Sequence, residues 1–169
     1  MFCTDDKAAR GGFTLLEIMI TLAILGILVV IATSNFGGLN EKYKVEAETK
    51  QLYADLMDAR GRAMQRNRIF FVRFSGTGYA TYEDTNSPPD GNGVWENAAD
   101  SRVANVTGTH TIIIALPGVL DFNRNGIASV TGFIRFSSTE KPDYDCITIL
   151  ATRIKMGQYN ATGNTCVEK

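Results

Sequence analysis

Apolar residues form one nearly continuous run close to the start of the chain, from position 18 to position 32. A run of about twenty mostly apolar residues is long enough to cross the hydrocarbon core of a membrane as a helix. Glu17 lies at the beginning of this run, and a carboxylate near the centre of an apolar helix costs on the order of 2.5–3.5 kcal/mol, less towards the helix end. The pattern predicts a membrane-spanning helix in which Glu17 has a partner.

A second helix, this one amphipathic, is predicted from residue 39 to about residue 67. Small or apolar residues recur there at alternating spacings of four and three, which places them on one face. They are Val45, Thr49, Leu52, Leu56, Ala59 and Ala63. The opposite directions carry charges that we expect to form a solvated, ion-paired face: Glu41, Lys42, Lys44, Glu46, Glu48 and Lys50.

The two helical patterns meet at residues 33–38, which are poor helix formers and include Gly37 and Gly38. Each glycine weakens a helix by about 1 kcal/mol relative to alanine. The segment predicts either a kink or locally melted turn, or a continuous helix that tolerates both glycines.

Beyond residue 68 the apolar spacing changes to two or to short runs, and turn residues separate the segments. Residues 69–74 and 79–82 predict a hairpin across Gly76, Thr77 and Gly78. Residues 83–101 predict an exposed loop, with Trp95 either anchoring the loop or serving as an exposed contact. Further strands are predicted at residues 111–116, 119–122, 132–136, 146–151 and 152–156. A helix followed by antiparallel strands predicts an α+β domain.

The residues from Gly12 to Glu17, Gly-Phe-Thr-Leu-Leu-Glu, precede the apolar run. This motif resembles the class III leader of type IV pilins and type II secretion pseudopilins. The resemblance implies that a prepilin peptidase cuts after Gly12 and that the new amino terminus, Phe13, is methylated. It also implies that Glu17 pairs with the Phe13 amine of a neighbouring subunit. Because each buried charge is unfavourable alone, such a pair sets the axial register of a filament.

A second resemblance narrows the family. Residues 55–60 (Asp-Leu-Met-Asp-Ala-Arg), followed by Ala63 and by Arg66-Asn67, resemble the helix end of the GspH/FimT family of minor pilins, and the turn at residues 122–128 is similar to that family's turn. The resemblance implies a pilin fold, in which a long N-terminal helix, half transmembrane and half amphipathic, packs on an antiparallel sheet domain with a C-terminal disulfide loop.

The same resemblance implies an organisation and a role. Residues 1–12 are expected to be a cleaved leader, residues 13–36 a transmembrane and filament-core helix, and residues 37–169 a periplasmic domain. The expected role is a structural subunit that acts in the initiation of a type IV pilus or of a type II secretion pseudopilus. Its expected partners are other subunits through the N-terminal helix, the prepilin peptidase and the inner-membrane assembly machinery.

Lys7 and Arg10 precede the apolar run and favour a cytoplasmic leader, so the remaining chain is expected in the periplasm, held by a single inner-membrane pass. A rival hypothesis takes residues 1–34 as an ordinary secretory signal, with small residues at positions 32–34 as the cleavage site. The mature chain would then be a soluble secreted domain beginning at Asn35. Glu17 and the length of the run count against it.

Three cysteines are present in the 169 residues. Removal of the leader takes Cys3 and leaves Cys146 and Cys166, twenty positions apart. An even pair in a translocated domain predicts a disulfide, the alternative being two free thiols in a cytosolic domain. The resemblance favours the disulfide, because pilin-like proteins often close a C-terminal loop in this way.

The formal net charge of −1 gives no global basic field that would indicate nucleic acid. FimT-like DNA receptors for uptake nevertheless provide an alternative function, since residues 152–157 loosely resemble their arginine-rich motif. Its candidate DNA contacts are Arg153 and Lys155. With so few cations, the counterion-release contribution to binding would be small.

The four arginines at positions 60, 62, 66 and 68 lie near the predicted end of the amphipathic helix. They predict either an anion-binding face or, as we favour, cations that complement the negative end of the helix dipole.

Asp121, Asn123 and Asn125 fit the first half of a calcium loop, but position twelve of that pattern is Gly132 rather than a carboxylate. An Asn-Gly hairpin explains these residues more simply, so no metal or other cofactor is predicted. His110, the only histidine, has no nearby nucleophile or ligand set and is predicted to be a strand-end residue. We therefore predict a structural protein and not an enzyme.

Overall fold

The computed structural model describes residues 12–34, 36–86 and 91–169. The chain forms two compact units, residues 1–39 and residues 40–169, and each is considered by itself. The first unit contains helix α1, Leu15–Ser34, and the start of helix α2, Phe36–Arg66. A search of the described residues for a helix long and apolar enough to span a membrane finds none.

Helix α1 begins at a capping residue. The Thr14 hydroxyl accepts a hydrogen bond from the Glu17 amide at 3.3 Å, which satisfies one of the amide groups that the first helical turn leaves free. Within the helix, the Thr21 hydroxyl donates to the Ile18 carbonyl at 2.9 Å, so this polar group is satisfied among apolar neighbours.

Gly37 and Gly38 lie inside α2, so the helical conformation resumes before the predicted end of the weak segment. Asn35, between the two helices, lies outside the described residues. Helix α2 ends at Arg66. The next residue, Asn67, has a left-handed φ of 53°, and the Arg68 amide donates to the Ala63 carbonyl at 3.2 Å. This is the hydrogen bond of a Schellman cap, and asparagine tolerates the required backbone conformation better than most residues.

The nine strands of the described residues pair antiparallel, as predicted, and they form two sheets. The first sheet has the order β3-β2-β1-β5 and consists of β1 (Phe70–Ser75), β2 (Gly78–Glu83), β3 (Ser101–Thr107) and β5 (Leu120–Phe122). The second has the order β4-β6-β7-β8-β9 and consists of β4 (Ile112–Ala115), β6 (Gly132–Phe136), β7 (Cys146–Ile149), β8 (Ile154–Asn160) and β9 (Thr165–Glu168).

The predicted hairpin is confirmed, with a tighter loop than expected. Ser75 pairs with Gly78, so the loop consists of Gly76 and Thr77 alone. Gly76 has φ +58°, the conformation that a two-residue hairpin loop requires and that glycine adopts readily. Strands β3 and β9 were not predicted.

One face of α2 supplies the centre of the main core. All six residues of the predicted stripe are buried, none more than 1% exposed. They pack with side chains from both sheets, including Phe70 and Val72 of β1, Ile134 of β6 and Ile147 of β7. The amphipathic period of α2 therefore identified the surface against which the sheets pack.

The opposite face of β1 and β2 carries a second cluster, formed by Phe71, Ala80 and Tyr82. Trp95 packs against it, with its ring edge-on to Tyr82 at 5.9 Å and with the Arg73 guanidinium 4.2 Å from its ring centroid. Trp95 is therefore an anchor, the first of the two interpretations of this residue.

The prediction of an exposed loop after β2 was too simple. The Asp84 side chain is fully buried and accepts hydrogen bonds from the amides of Asn92 at 3.1 Å and Gly93 at 2.7 Å. A buried carboxylate that bonds to backbone amides ties the described parts of this loop together. Residues 87–90 lie outside the described residues.

Candidate functional site

The N-terminal segment places the predicted processing residues in an accessible position. Gly12 and Phe13 precede α1 in irregular structure, and the Phe13 side chain is 81% exposed. Peptidases act on extended, accessible backbone.

Helix α1 exposes apolar side chains over most of its length. From Leu15 to Ile31 its large apolar residues are between about half and four-fifths exposed. Glu17 lies among them in the first turn and is itself exposed. No ion pair to Glu17 is present within the described residues of this single chain.

The C-terminal cysteines form the predicted disulfide. Cys146 of β7 and Cys166 of β9 are bonded, with their Cα atoms 6.0 Å apart. Strand β8 lies between these two strands, and Gly157 of β8 pairs with Cys146. A Cβ at Gly157 would lie 3.1 Å from the Cys166 sulfur and 2.2 Å from the Val167 carbonyl oxygen. The absence of a side chain at this position lets the disulfide pass across β8.

The arginines at the end of α2 have protein partners. Arg60 donates to the Thr152 carbonyl at 2.9 Å, and Arg62 pairs with Asp58 at 2.6 Å. Arg66 and Arg68 both approach Glu83 of β2, which is 8% exposed. These contacts fasten the helix end to the sheets, a role that neither sequence interpretation included.

The charged face of α2 is also less solvated than predicted. Two of its acids, Glu41 and Glu48, contact the imidazole of His110, which is 7% exposed. Glu48 also accepts from the amide of Thr109 at 2.8 Å. The expected pairing occurs elsewhere on this face, where Lys50 lies 3.4 Å from Glu46.

The weak calcium pattern is used for turn formation. The side-chain oxygen of Asn123 accepts from the amides of Asn125 at 2.9 Å and Ile127 at 3.0 Å, and Asp121 accepts from the Ser129 hydroxyl. Burial raises the pKa of Asp121, and the bond from Ser129 opposes the rise only in part. The described residues contain no group of three or more His, Cys, Asp or Glu that could hold a metal ion.

The two candidate DNA contacts are close in sequence but differ in environment. Arg153 is exposed in the turn between β7 and β8, where its amide donates to the Leu150 carbonyl at 3.3 Å. Lys155 lies on β8 and pairs with Glu168 of β9. One of the two cations is thus already neutralised within the domain.

Comparison with known families agrees with the N-terminal motif and with the domain that follows it. The family model described as "Prokaryotic N-terminal methylation motif" matches residues 7–33. The model described as "Type II transport protein GspH" matches residues 48–152, more than half of the chain. The chain belongs to the GspH family. It is a type IV pilin-like structural subunit with a class III prepilin leader.

The two matched regions of the GspH-type chain fall one in each compact unit, residues 7–33 in the first and residues 48–152 in the second. The methylation motif covers most of α1, and the second match begins at Glu48 in the buried half of α2 and ends just before β8. Pilins and pseudopilins are structural proteins rather than enzymes. Searches of curated proteins and of solved structures returned no match.

Proposed function

We propose that this GspH-type chain is a minor pilin or pseudopilin, that residues 13–36 first anchor it in the inner membrane, and that the same residues later form part of a filament core. The observation that carries the proposal is the exposed apolar surface of α1 with Glu17 in its first turn. Such a surface is unfavourable in water, and both a lipid environment and a bundle of neighbouring helices would cover it.

The role of Glu17 follows from the same surface. Its carboxylate becomes costly when neighbours cover α1, unless a positive group accompanies it. The amine of Phe13 on an adjacent subunit, freed by cleavage after Gly12, supplies such a group four residues away in sequence. Pairing would therefore fix the axial stagger between subunits. Because Glu17 needs the Phe13 amine of an adjacent subunit, its presence favours a place in the filament where another subunit precedes this one.

We further propose that the chain acts when assembly begins, with the prepilin peptidase and the inner-membrane assembly machinery as earlier partners and with the sheet domain in the periplasm. The disulfide supports the periplasmic placement, because such bonds persist in oxidising compartments. Whether the filament is a pilus or a secretion pseudopilus depends on the sister subunits.

The test separates processing from assembly. Glu17→Ala and Glu17→Gln both remove the negative charge, and Glu17→Gln keeps the size of the side chain. We expect normal cleavage after Gly12 in both variants, together with loss of the subunit from sheared filaments, measured by immunoblotting. Glu46→Gln, an acid of α2, is the matched control. Normal incorporation of both Glu17 variants would refute the proposed role.

A further inference from the structure

The connection between β3 and β4 is held on α2 by an arrangement that the filament function does not use. Gly108 lies close enough to α2 that a Cβ there would be 2.9 Å from a Glu48 carboxylate oxygen. The next two residues donate their amides to that carboxylate, Thr109 at 2.8 Å and His110 at 3.2 Å. The backbone of this connection therefore fits around one side chain of the helix.

The His110 ring contacts two carboxylates at once. Its Nδ1 lies 3.0 Å from Glu48 Oε2, and its Nε2 lies 2.9 Å from Glu41 Oε1. The two acids are seven residues apart on α2, which corresponds to about two helical turns and places them on the same side. The imidazole spans the distance between them and is almost entirely buried.

The number of N–H groups on the ring decides which protonation state of His110 fits this geometry. A neutral imidazole has one N–H, whereas the imidazolium has two. Both ring nitrogens face carboxyl groups, which can only accept hydrogen bonds when they are ionised. Burial alone would raise the pKa of Glu48. The amides of Thr109 and His110 and the imidazole outweigh this effect, so the pKa of Glu48 lies below its usual value. The imidazolium is the form that satisfies both contacts.

Within the described part of the chain, no lysine or arginine forms an ion pair with Glu41 or Glu48, although Lys44 lies between them on α2. On the helix side, the described contacts of the ring are Glu41 and Glu48. On the side of the sheet, the phenol of Tyr79 on β2 interacts electrostatically with Glu48 and donates its hydroxyl to Asp55. A cavity of about 350 Å³ is lined by Glu48, Tyr79 and Thr109.

We propose that Glu41, Glu48 and His110 form a pH-responsive latch, which holds the β3–β4 connection on α2 when the imidazole carries both protons and loosens it when one proton is lost. Histidine is the side chain that ordinarily changes charge between pH 5 and pH 8. When the imidazole loses one proton, one ring nitrogen turns a lone pair towards a carboxylate. The contribution of the latch to stability is therefore full at low pH and declines as the pH rises.

The experiment uses the full-length chain in detergent micelles at pH 5.5 and pH 7.5. Urea unfolding is followed by the fluorescence of Trp95, the only tryptophan. The unfolding equilibrium constant of the wild type should increase by on the order of tenfold between the two pH values, the size of one charge-assisted hydrogen bond. Glu41→Gln should remove most of this change, because an amide can donate to a deprotonated ring nitrogen.

Glu46→Gln provides the matched control, since Glu46 lies on the same helix and has no described contact with His110. It should keep the pH dependence of the wild type. An unchanged pH dependence in Glu41→Gln, or an equal loss in Glu46→Gln, would overturn the proposal.

A second measurement remains valid even if a variant folds poorly. The chain has one histidine, so labelling its ring nitrogens with ¹⁵N gives NMR signals from His110 alone. The latch requires two protonated ring nitrogens at pH 5.5, and it requires amide exchange at Thr109, relative to intrinsic rates, to become faster as the pH rises and one of these protons is lost. A singly protonated ring at pH 5.5 would also overturn the proposal.

Discussion

Loss of the Cys146–Cys166 disulfide should release β9 more than it affects the rest of the domain. The bond closes a segment of 20 residues, for which the loop-entropy relation gives a stabilisation of about 3 kcal/mol. No residue of β9 belongs to the buried core of the described chain, and Val167 is 51% exposed. Apart from the disulfide, β9 is held by its pairing with β8 and by the Lys155–Glu168 contact.

The assay compares the oxidised wild type with its reduced form and with Cys146→Ala/Cys166→Ala, all in a Cys3→Ser background. We expect the free energy of unfolding in urea to fall by up to about 3 kcal/mol. This value is an upper limit, because without the disulfide β9 also gains freedom in the folded state, which offsets part of the entropy gained by the unfolded chain. Hydrogen exchange should accelerate at residues 165–168 while the buried stripe of α2 keeps its protection.

Two results would refute this reasoning. If residues 165–168 kept their protection after reduction, strand pairing alone would hold β9. If α2 lost protection to the same extent as β9, the disulfide would support the whole domain rather than its edge.

Three further expectations concern single sites. Gly157→Ala should destabilise the domain by more than about 1 kcal/mol in urea unfolding, because its Cβ would lie 2.2 Å from a β9 carbonyl oxygen. In the same measurement, Gly61→Ala, in an open helical position, should stabilise the domain by about 0.5–1 kcal/mol. Burial raises the pKa of Asp121, so its ionised form destabilises the folded state at pH 7. Asp121→Asn should therefore raise the free energy of unfolding at pH 7 by less than about 1 kcal/mol, and this gain should vanish below about pH 4, where the carboxyl group is protonated in both states. In gel shifts at low salt, Arg153→Ala/Lys155→Ala should match the wild type; a salt-dependent shift lost in this variant would instead support the DNA-receptor alternative.

Local patterns predicted the parts of the fold that depend on local physics. The buried face of α2 follows from a helical period that any helix of this sequence would display, and Leu52 and Leu56 were correctly placed in the core. The hairpin of β1 and β2 was predictable for a similar reason, because its turn residues and its alternation lie within a few positions of each other.

Strands β3 and β9 escaped prediction because neither contains a buried residue. Strand β3 exposes residues such as Arg102 and Asn105, and β9 is short, so neither displays an alternating buried face. The division into two sheets depends on pairings between distant segments, which local sequence does not encode.

The contacts of His110 could not be predicted for the same reason. Its two carboxylate partners precede it by 69 and 62 positions, and their own neighbourhood resembles an ordinary charged helix face. Glu83, which receives Arg66 and Arg68, presented the same difficulty. In contrast, the disulfide was predictable because removal of the leader leaves only two cysteines.

The central claim is that this GspH-type chain is processed as a prepilin and assembled through α1. The most direct measurement is mass spectrometry of the chain purified from cells that contain the prepilin peptidase. We predict a mature protein that begins with methylated Phe13 and lacks residues 1–12, and an unprocessed precursor in cells without the peptidase. A mature chain that begins at Asn35 in both kinds of cell would contradict the account and support an ordinary secretory signal.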